Sequence, residues 1–260
     1  MNQITNHLKL LFTFSKIELK KIVAYSGQMS SLLITLPIKA LLTYLIWSNL
    51  ATYNETINLQ WLIYYYIIVS FIEFITMPYC EITYDLMWDV SSGNLDMYLI
   101  RQMHYLRYKF FSKLHLLFLF MFMMVILEII YNIDILSLQG VGILYFYCIS
   151  VSYIFIIFAL VGLLSFQFEN VLTLRDNAWN IIRLLSGSIL PLSYYPSGIE
   201  RVLKFLPFGY IYYKPVIFTQ NFLLPTGFDY IISFAWLVIG IIVLEVLWQK
   251  SICKYTSQGG

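Results

Sequence analysis

About 20 consecutive apolar residues in a helix span the hydrocarbon core of a bilayer, and runs of that length recur six times in this chain, at 29–50, 61–80, 113–133, 141–166, 178–194 and 229–248. Lipid offers the backbone no hydrogen-bond partners, so each run must satisfy its own polar groups, which selects helices. Composition agrees: 60% of the residues are hydrophobic and 12% are charged, where soluble domains carry about a quarter charged residues. The expected fold is all-α and polytopic, with six transmembrane helices forming one domain over residues 1–260. The run at 178–194 is the weakest, because it is short, holds Arg183 and is interrupted by Ser186, Gly187, Ser188 and Pro191. It is retained because broken spans are tolerated where protein surrounds them.

Lys and Arg near the span ends set the orientation. With the N-terminus inside, the cytoplasmic face receives Lys9, Lys16, Lys20, Lys21, Arg101, Arg107, Lys109, Lys113, Arg175, Lys250 and Lys254, and the outer face only Arg201, Lys204 and Lys214. Both termini are thus expected in the cytoplasm of a cell whose cytoplasmic (inner) membrane holds the chain. Within residues 1–28, Lys9, Thr13, Lys16 and Lys20 share one side of a helix and Leu8, Leu11, Phe12, Leu19 and Ile22 fall elsewhere. That pattern describes an amphipathic helix in the membrane interface, serving as an anchor or as a contact for a partner. The charged stretch 85–113 is the long cytoplasmic connection, acidic in front and basic behind, with Arg107 onward expected to rest on the lipid surface.

The outer connection 195–228 has its own pattern. Ser197 and Glu200 form an S-x-x-E capping-box signature, followed by Ile199, Val202, Leu203 and Leu206 on one face and a stop at Pro207. An aromatic-rich run follows, with Phe208, Tyr210, Tyr212, Tyr213 and Phe218, as at membrane interfaces. A short helix of this kind is expected to dip back into the outer leaflet as a re-entrant segment.

Several chemistries find no residues to carry them. No Gly-Lys dipeptide exists, so the phosphate-binding loop of an ATPase is absent. The three His, at 7, 104 and 115, have no H-E-x-x-H context, and G-x-S-x-G is missing. Cys80, Cys148 and Cys253 lack disulfide or zinc spacing and read as small apolar fillers. No catalytic residue, metal site, bound cofactor or nucleic-acid partner is expected. Ionisable groups inside the spans are sharper, because each costs about 2.5–3.5 kcal/mol near the bilayer centre. These are Lys39, Glu73, Glu128, Arg183 and Glu245. Their depths predict two interhelical pairs, Lys39 with Glu73 and Arg183 with Glu245, which either fix packing or line a substrate path, while Glu128 lies near the outer boundary.

Two local patterns carry a resemblance. Gly93, Leu95, Asp96, Leu99 and Arg101 form a G-x-L-D-x-x-L-x-R run after the second span. Asn180, Leu185, Ser186, Gly187, Pro191, Leu192 and Pro196 read N-x-x-x-x-L-S-G-x-x-x-P-L-x-x-x-P, ahead of Leu206, Pro207, Phe208 and Pro215. With six spans and an amphipathic start, the chain resembles the permease subunits of type-2 ATP-binding-cassette exporters. The resemblance implies two permease subunits, the same or homologous, each docked on a nucleotide-binding ATPase subunit that carries ATP and Mg. It assigns ATPase docking to Gly93, Leu95, Asp96, Leu99 and Arg101, with Lys16 and Lys20 on the N-terminal helix, and an outer gate to Pro191, Pro196, Ser197, Glu200, Pro207 and Pro215. Gln102 departs from the family, where Pro often follows the Arg. Leu95 and Leu99, at i and i+4, would present one apolar face to a groove on the partner. The implied function is export of an amphipathic or hydrophobic compound, such as a peptide antibiotic, drug or lipid. Two other readings are a membrane-embedded transferase using Asp85 and Asp89, and a substrate-binding subunit of an uptake system.

Overall fold

A computed structural model of the chain describes residues 38, 41–52, 58–100, 104–113, 138–221 and 223–255. Among these residues every regular element is helical: α1 (41–52), α2 (Leu59–Cys80), α3 (Ile82–Ser91), α4 (Leu95–Leu99), α5 (Tyr105–Ser112), α6 (Leu138–Gly162), α7 (Leu172–Leu185), α8 (Ser197–Phe205), α9 (Tyr213–Asn221) and α10 (Gly227–Ile252). Short 3-10 turns occupy Leu163–Phe166, Leu192–Tyr194 and Pro207–Tyr210. The expected amphipathic segment 1–28 with Lys16 and Lys20, Lys39, Arg101, Glu128 and the third window beyond residue 113 lie outside the described residues.

Among the described residues three stretches are long and apolar enough to cross a membrane: Leu59–Ser91, Gln139–Phe166 and Gly227–Ile252. They coincide with the second, fourth and sixth windows. Asn58 caps α2 by accepting from the Trp61 amide at 3.0 Å, and Thr226 and Asp229 form a capping box that starts α10. The sequence reading placed neither cap. α6 is the central helix, packed against α2, α3 and α10, with Phe146, Ile154 and Phe158 fully buried. α10 instead leaves Phe228, Ile231, Phe234 and Ile242 exposed, as suits a helix with a lipid-facing side.

The second span does not end where its apolar run ends. α2 and α3 are separated only by Glu81, three residues after Pro78, which has no N–H to give to the helix. Together they make 33 residues, about 50 Å at 1.5 Å per residue, against a hydrocarbon core of about 30 Å. Residues 85–91 are thus a helical extension of the span rather than part of a loop.

The fifth window is not one continuous helix. α7 has 14 residues, about 21 Å, and runs antiparallel to α2: Arg175 pairs with Glu81, Arg183 with Glu73, and Gly187 meets Tyr65. Its end is a Schellman motif, in which the Ser188 amide donates to the Arg183 carbonyl at 3.0 Å and Gly187 adopts φ +89°. Beyond it the backbone is irregular, and tyrosines supply the missing donors. Tyr65 donates to the Gly187 carbonyl at 2.7 Å, Tyr66 to that of Ile189 at 2.6 Å, and Tyr195 to that of Leu184 at 3.0 Å. Trp47 of α1 packs on Tyr66 and Tyr194 and covers this segment.

The chain then returns to the same level. The Tyr213 amide donates to the Ser186 carbonyl at 3.0 Å, and the Tyr212 hydroxyl reaches Thr76 of α2 at 3.1 Å. From there α9 rises between α2 and α6, with Tyr147 bonded to Thr219 and Gln220 donating to the Trp61 carbonyl. The expected capping box at Ser197 and Glu200 does not form. Pro196 is the N-cap residue, Ser197 makes no cap bond, and the Glu200 carboxylate accepts instead from Lys204 one turn on, at 2.6 Å.

Two glycines with positive φ separate strain from crowding. At Gly187 an added Cβ would lie 3.0 Å from the Tyr65 hydroxyl and 3.2 Å from the Tyr213 Cβ, whereas at Gly93, φ +73°, nothing lies within 4 Å. Gly93→Ala is expected to cost about 1–2 kcal/mol from the left-handed backbone alone. Gly187→Ala is expected to cost about 1–3 kcal/mol more, because the Tyr65 bond is also displaced. Thermal unfolding of the two purified variants checks the order.

Candidate functional site

Two places gather the residues that chemistry can use: the charged end of the bundle formed by α3, α4 and α5, and a pair of opposite charges between α2 and α7.

At the charged end, Gly93 turns the chain after α3 in the left-handed conformation that an L residue resists. α4 follows with Asp96 in its first turn, where a carboxylate suits the exposed amides. Leu95 is fully buried in the protein's own core, while Leu99 is 41% exposed. The expected Leu95–Leu99 docking face is therefore corrected: Leu95 fixes α4 to the bundle, and the apolar surface left open is made by Trp88, Met97, Leu99 and Ile100. Ile100 is the most open of these, at 86%. The sequence reading missed Trp88, Met97 and Ile100, because i, i+4 spacing pairs Leu95 with Leu99 and says nothing about which side the core takes. Burial, with the Asp96 carboxylate beside it, pushes the Tyr255 phenol up.

The acidic front and the basic back clasp each other. Asp89, nearly buried, accepts from Tyr105 at 2.7 Å and pairs with Lys109 at 2.9 Å. Asp85 lies 3.6 Å from both Lys109 and Lys113, and Lys113 also donates to the Pro78 carbonyl at 2.6 Å. Burial works against the Lys109 charge, but Asp85 and Asp89 outweigh it and hold the ammonium above the usual lysine range. Lys109 and Lys113 thus do not rest on lipid as expected; they lock α5 onto α3, and of the three basic residues in α5 and at its end only Arg107 is exposed. Tyr105 stacks on Trp248 with the rings 8° from parallel, which joins α10 to the clasp. A transferase would need Asp85 and Asp89 open to a cavity, and both are engaged by lysines. Among the described residues no group of His, Cys, Asp and Glu could hold a metal ion.

Within the bundle, the Arg183 Nε donates to Glu73 Oε1 at 3.0 Å, and the Ser188 hydroxyl donates to the same oxygen. Arg183 is 28% exposed and Glu73 15%. The expected pairing of Arg183 with Glu245 is corrected. Glu245 instead faces His104 Nε2 at 3.4 Å, at the charged end of the bundle. Lys39 lies outside the described residues, so its expected pairing with Glu73 is not described. Equal depth along two spans did not identify partners, because it does not say which faces of the helices meet. Burial holds the His104 imidazole below its ordinary range; Glu245 pulls it upward and Arg107 lowers it further.

Of the expected gate residues, Pro191 and Pro196 flank the 3-10 turn Leu192–Tyr194, Pro207 opens the turn before α9, and Pro215 lies in the first turn of α9. They mark the breaks of the irregular segment rather than one cluster.

Residues 33–259 match the family described as ABC-2 family transporter protein. No individual curated protein matches the chain.

Removing one member of the pair leaves the other charge partly buried without the opposite charge beside it. Glu73→Gln and Arg183→Leu are each expected to cost about 1–3 kcal/mol, and the double variant less than their sum. A double-mutant cycle on thermal stability in detergent measures the coupling. His104 gives a pH signature. Its folded pKa lies below the unfolded value of about 6.5, so the unfolded state binds more protons, and the stability His104 contributes is full above that value and lost as pH falls from it through the folded pKa. The thermal midpoint is expected to fall between about pH 7.5 and 5.5, and to fall less in His104→Gln.

Proposed function

The chain belongs to the ABC-2 family of transporter proteins and is a membrane permease that works with an ATP-binding cassette subunit, and from that premise we propose that it exports an amphipathic or hydrophobic compound across the cytoplasmic membrane. Two permease subunits, the same or homologous, would pair, with one nucleotide-binding subunit under each, and ATP and Mg would be bound there. This chain would supply no catalytic residue.

The observation that carries this reading is the apolar tip of the charged end. Trp88 is exposed near the end of a helix that overruns the hydrocarbon core by about 20 Å, and Met97, Leu99 and Ile100 are exposed just beyond it. A short helix with exposed apolar residues suits a groove on a soluble partner. The tip is also tied to the spans. Asp89 and Lys109 lock α3 to α5, Tyr105 stacks on Trp248 of α10, and Leu95 anchors α4 in the core. A push on the tip would move α2 and α10 as one body. Because a ligand shifts an equilibrium only through differential contacts, the ATPase would engage the tip differently with and without ATP.

Export requires a closed outer end between cycles. The stretch from Ser186 to Asn221, which descends to Thr76 and returns toward Trp61, would be re-entrant from the outer leaflet and would form that closure, with both termini in the cytoplasm. An uptake subunit has no comparable use for it. Arg183, partly exposed at mid-depth beside Glu73, would line the path, and an ionisable group there is a functional site by default.

Co-purification with the ATPase subunit tests the docking. Met97→Asp and Ile100→Asp are each expected to weaken the complex at least about tenfold, as for apolar anchors at an interface, while leaving the permease folded. Leu95→Ala is expected to lower stability first. Unchanged retention of the ATPase by the Met97 and Ile100 variants, or ATP hydrolysis by the isolated chain, refutes the proposal.

A further inference from the structure

A cavity of about 430 Å³ lies between α5, α6 and α10, within the size range of small-ligand sites. It does not touch the apolar tip or the Glu73–Arg183 pair. Its walls are mostly apolar, with Phe110, Phe155, Leu237 and Ile241 among them; Ser152 also lines it, its hydroxyl turned to the Cys148 carbonyl, and the titratable lining residues are His104, Arg107 and Glu245. Arg107 is exposed. Glu245 is 40% exposed and holds His104 through one oxygen, and the His104 Nδ1 is buried with no partner among the described residues. Leu237 and Glu245 are eight residues apart on α10, so the cavity runs about 12 Å along that helix. One leaflet contributes about 15 Å of hydrocarbon.

A largely apolar cavity nearly one leaflet deep, with both a cation and an anion in its lining, has a specific complement. A simple hydrophobe would leave both charges without a use. A sugar or polar peptide would bury its hydroxyls or amides unpaired against phenylalanine and leucine. A purely anionic headgroup would meet Arg107 but also face Glu245. A zwitterion with a phosphate and a primary ammonium satisfies both, through charge-assisted hydrogen bonds. We propose that this cavity binds one phosphatidylethanolamine molecule from the cytoplasmic leaflet, its phosphate on Arg107, its ammonium on Glu245 and an acyl chain along Phe155 and Leu237. The choice of leaflet rests on the topology of the export reading; the fit of headgroup to lining charges does not. The bound lipid would brace α5 against α10, next to the clasp that connects the tip to the spans.

The test uses the full-length permease, delipidated in detergent and offered palmitoyl-oleoyl phosphatidylethanolamine or phosphatidylglycerol, with native mass spectrometry counting retained lipid. One phosphatidylethanolamine per chain is expected, retained about tenfold more than phosphatidylglycerol. Arg107→Gln is expected to lower retention of both lipids, and Glu245→Gln to erase the preference between them. Ile241→Trp, on the exposed side of α10, fills the cavity and should abolish retention while the thermal midpoint without lipid stays unchanged. Equal retention by wild type and Ile241→Trp overturns the site, and equal binding of the two lipids by wild type overturns the headgroup assignment. No ATPase subunit takes part, so failure here leaves the export reading standing, and loss of ATPase docking leaves this site standing.

Discussion

Ending a helix among packed apolar helices leaves carbonyls and amides that need partners, and the end of α7 at Gly187 sets that problem for the irregular segment that follows it. The Schellman bond from Ser188 to Arg183 closes the first part of it. The rest falls to hydroxyls from neighbouring helices: Tyr65 and Tyr66 from α2, and Ser150 from α6, which donates to the Ile211 carbonyl at 2.6 Å. Tyrosine suits this work because its ring is apolar enough for the bilayer and its hydroxyl reaches a carbonyl from a helix face. Thus α2 and α6 bind the irregular segment by hydrogen bonds as well as by packing.

The same helix α2 carries the connection in the other direction. Its middle holds the Glu73–Arg183–Ser188 cluster, which fastens α7 just before its glycine cap. Its extension α3 carries Asp85 and Asp89, which hold Lys109 and Lys113. One nearly continuous 33-residue stretch therefore links the tip, the Glu73–Arg183 pair and the tyrosines that support the irregular segment. Motion at one end need not pass through soft loops to reach the other.

Much of this was legible beforehand where it depended on the chain's local chemistry. The windows at 61–80, 141–166 and 229–248 became long helices, because an apolar run has no other solution in lipid. The break at Ser186, Gly187 and Ser188 was visible as an interruption, and Gly93 as a turn, since glycine at a left-handed position leaves its mark in composition. Partners were not legible. Arg183 chose Glu73 over Glu245, and Leu95 turned inward, because both outcomes depend on how two helices are rotated about their axes. Nor was the clasp: charge counting along 85–113 found an acidic front and a basic back, but only the fold of α5 back onto α3 brings them within 3 to 4 Å.

The sequence by itself determined a helical membrane protein and the places where its helices must break, because hydropathy and glycine act within a few residues of where they stand. The tertiary structure decided which charges pair, which apolar side chains remain open to a partner, and where a cavity with charges in its lining opens between α5, α6 and α10. Some of those properties arise from residues more than a hundred positions apart, such as Glu73 and Arg183 or His104 and Glu245, and no local pattern fixes the helix rotation that brings them together.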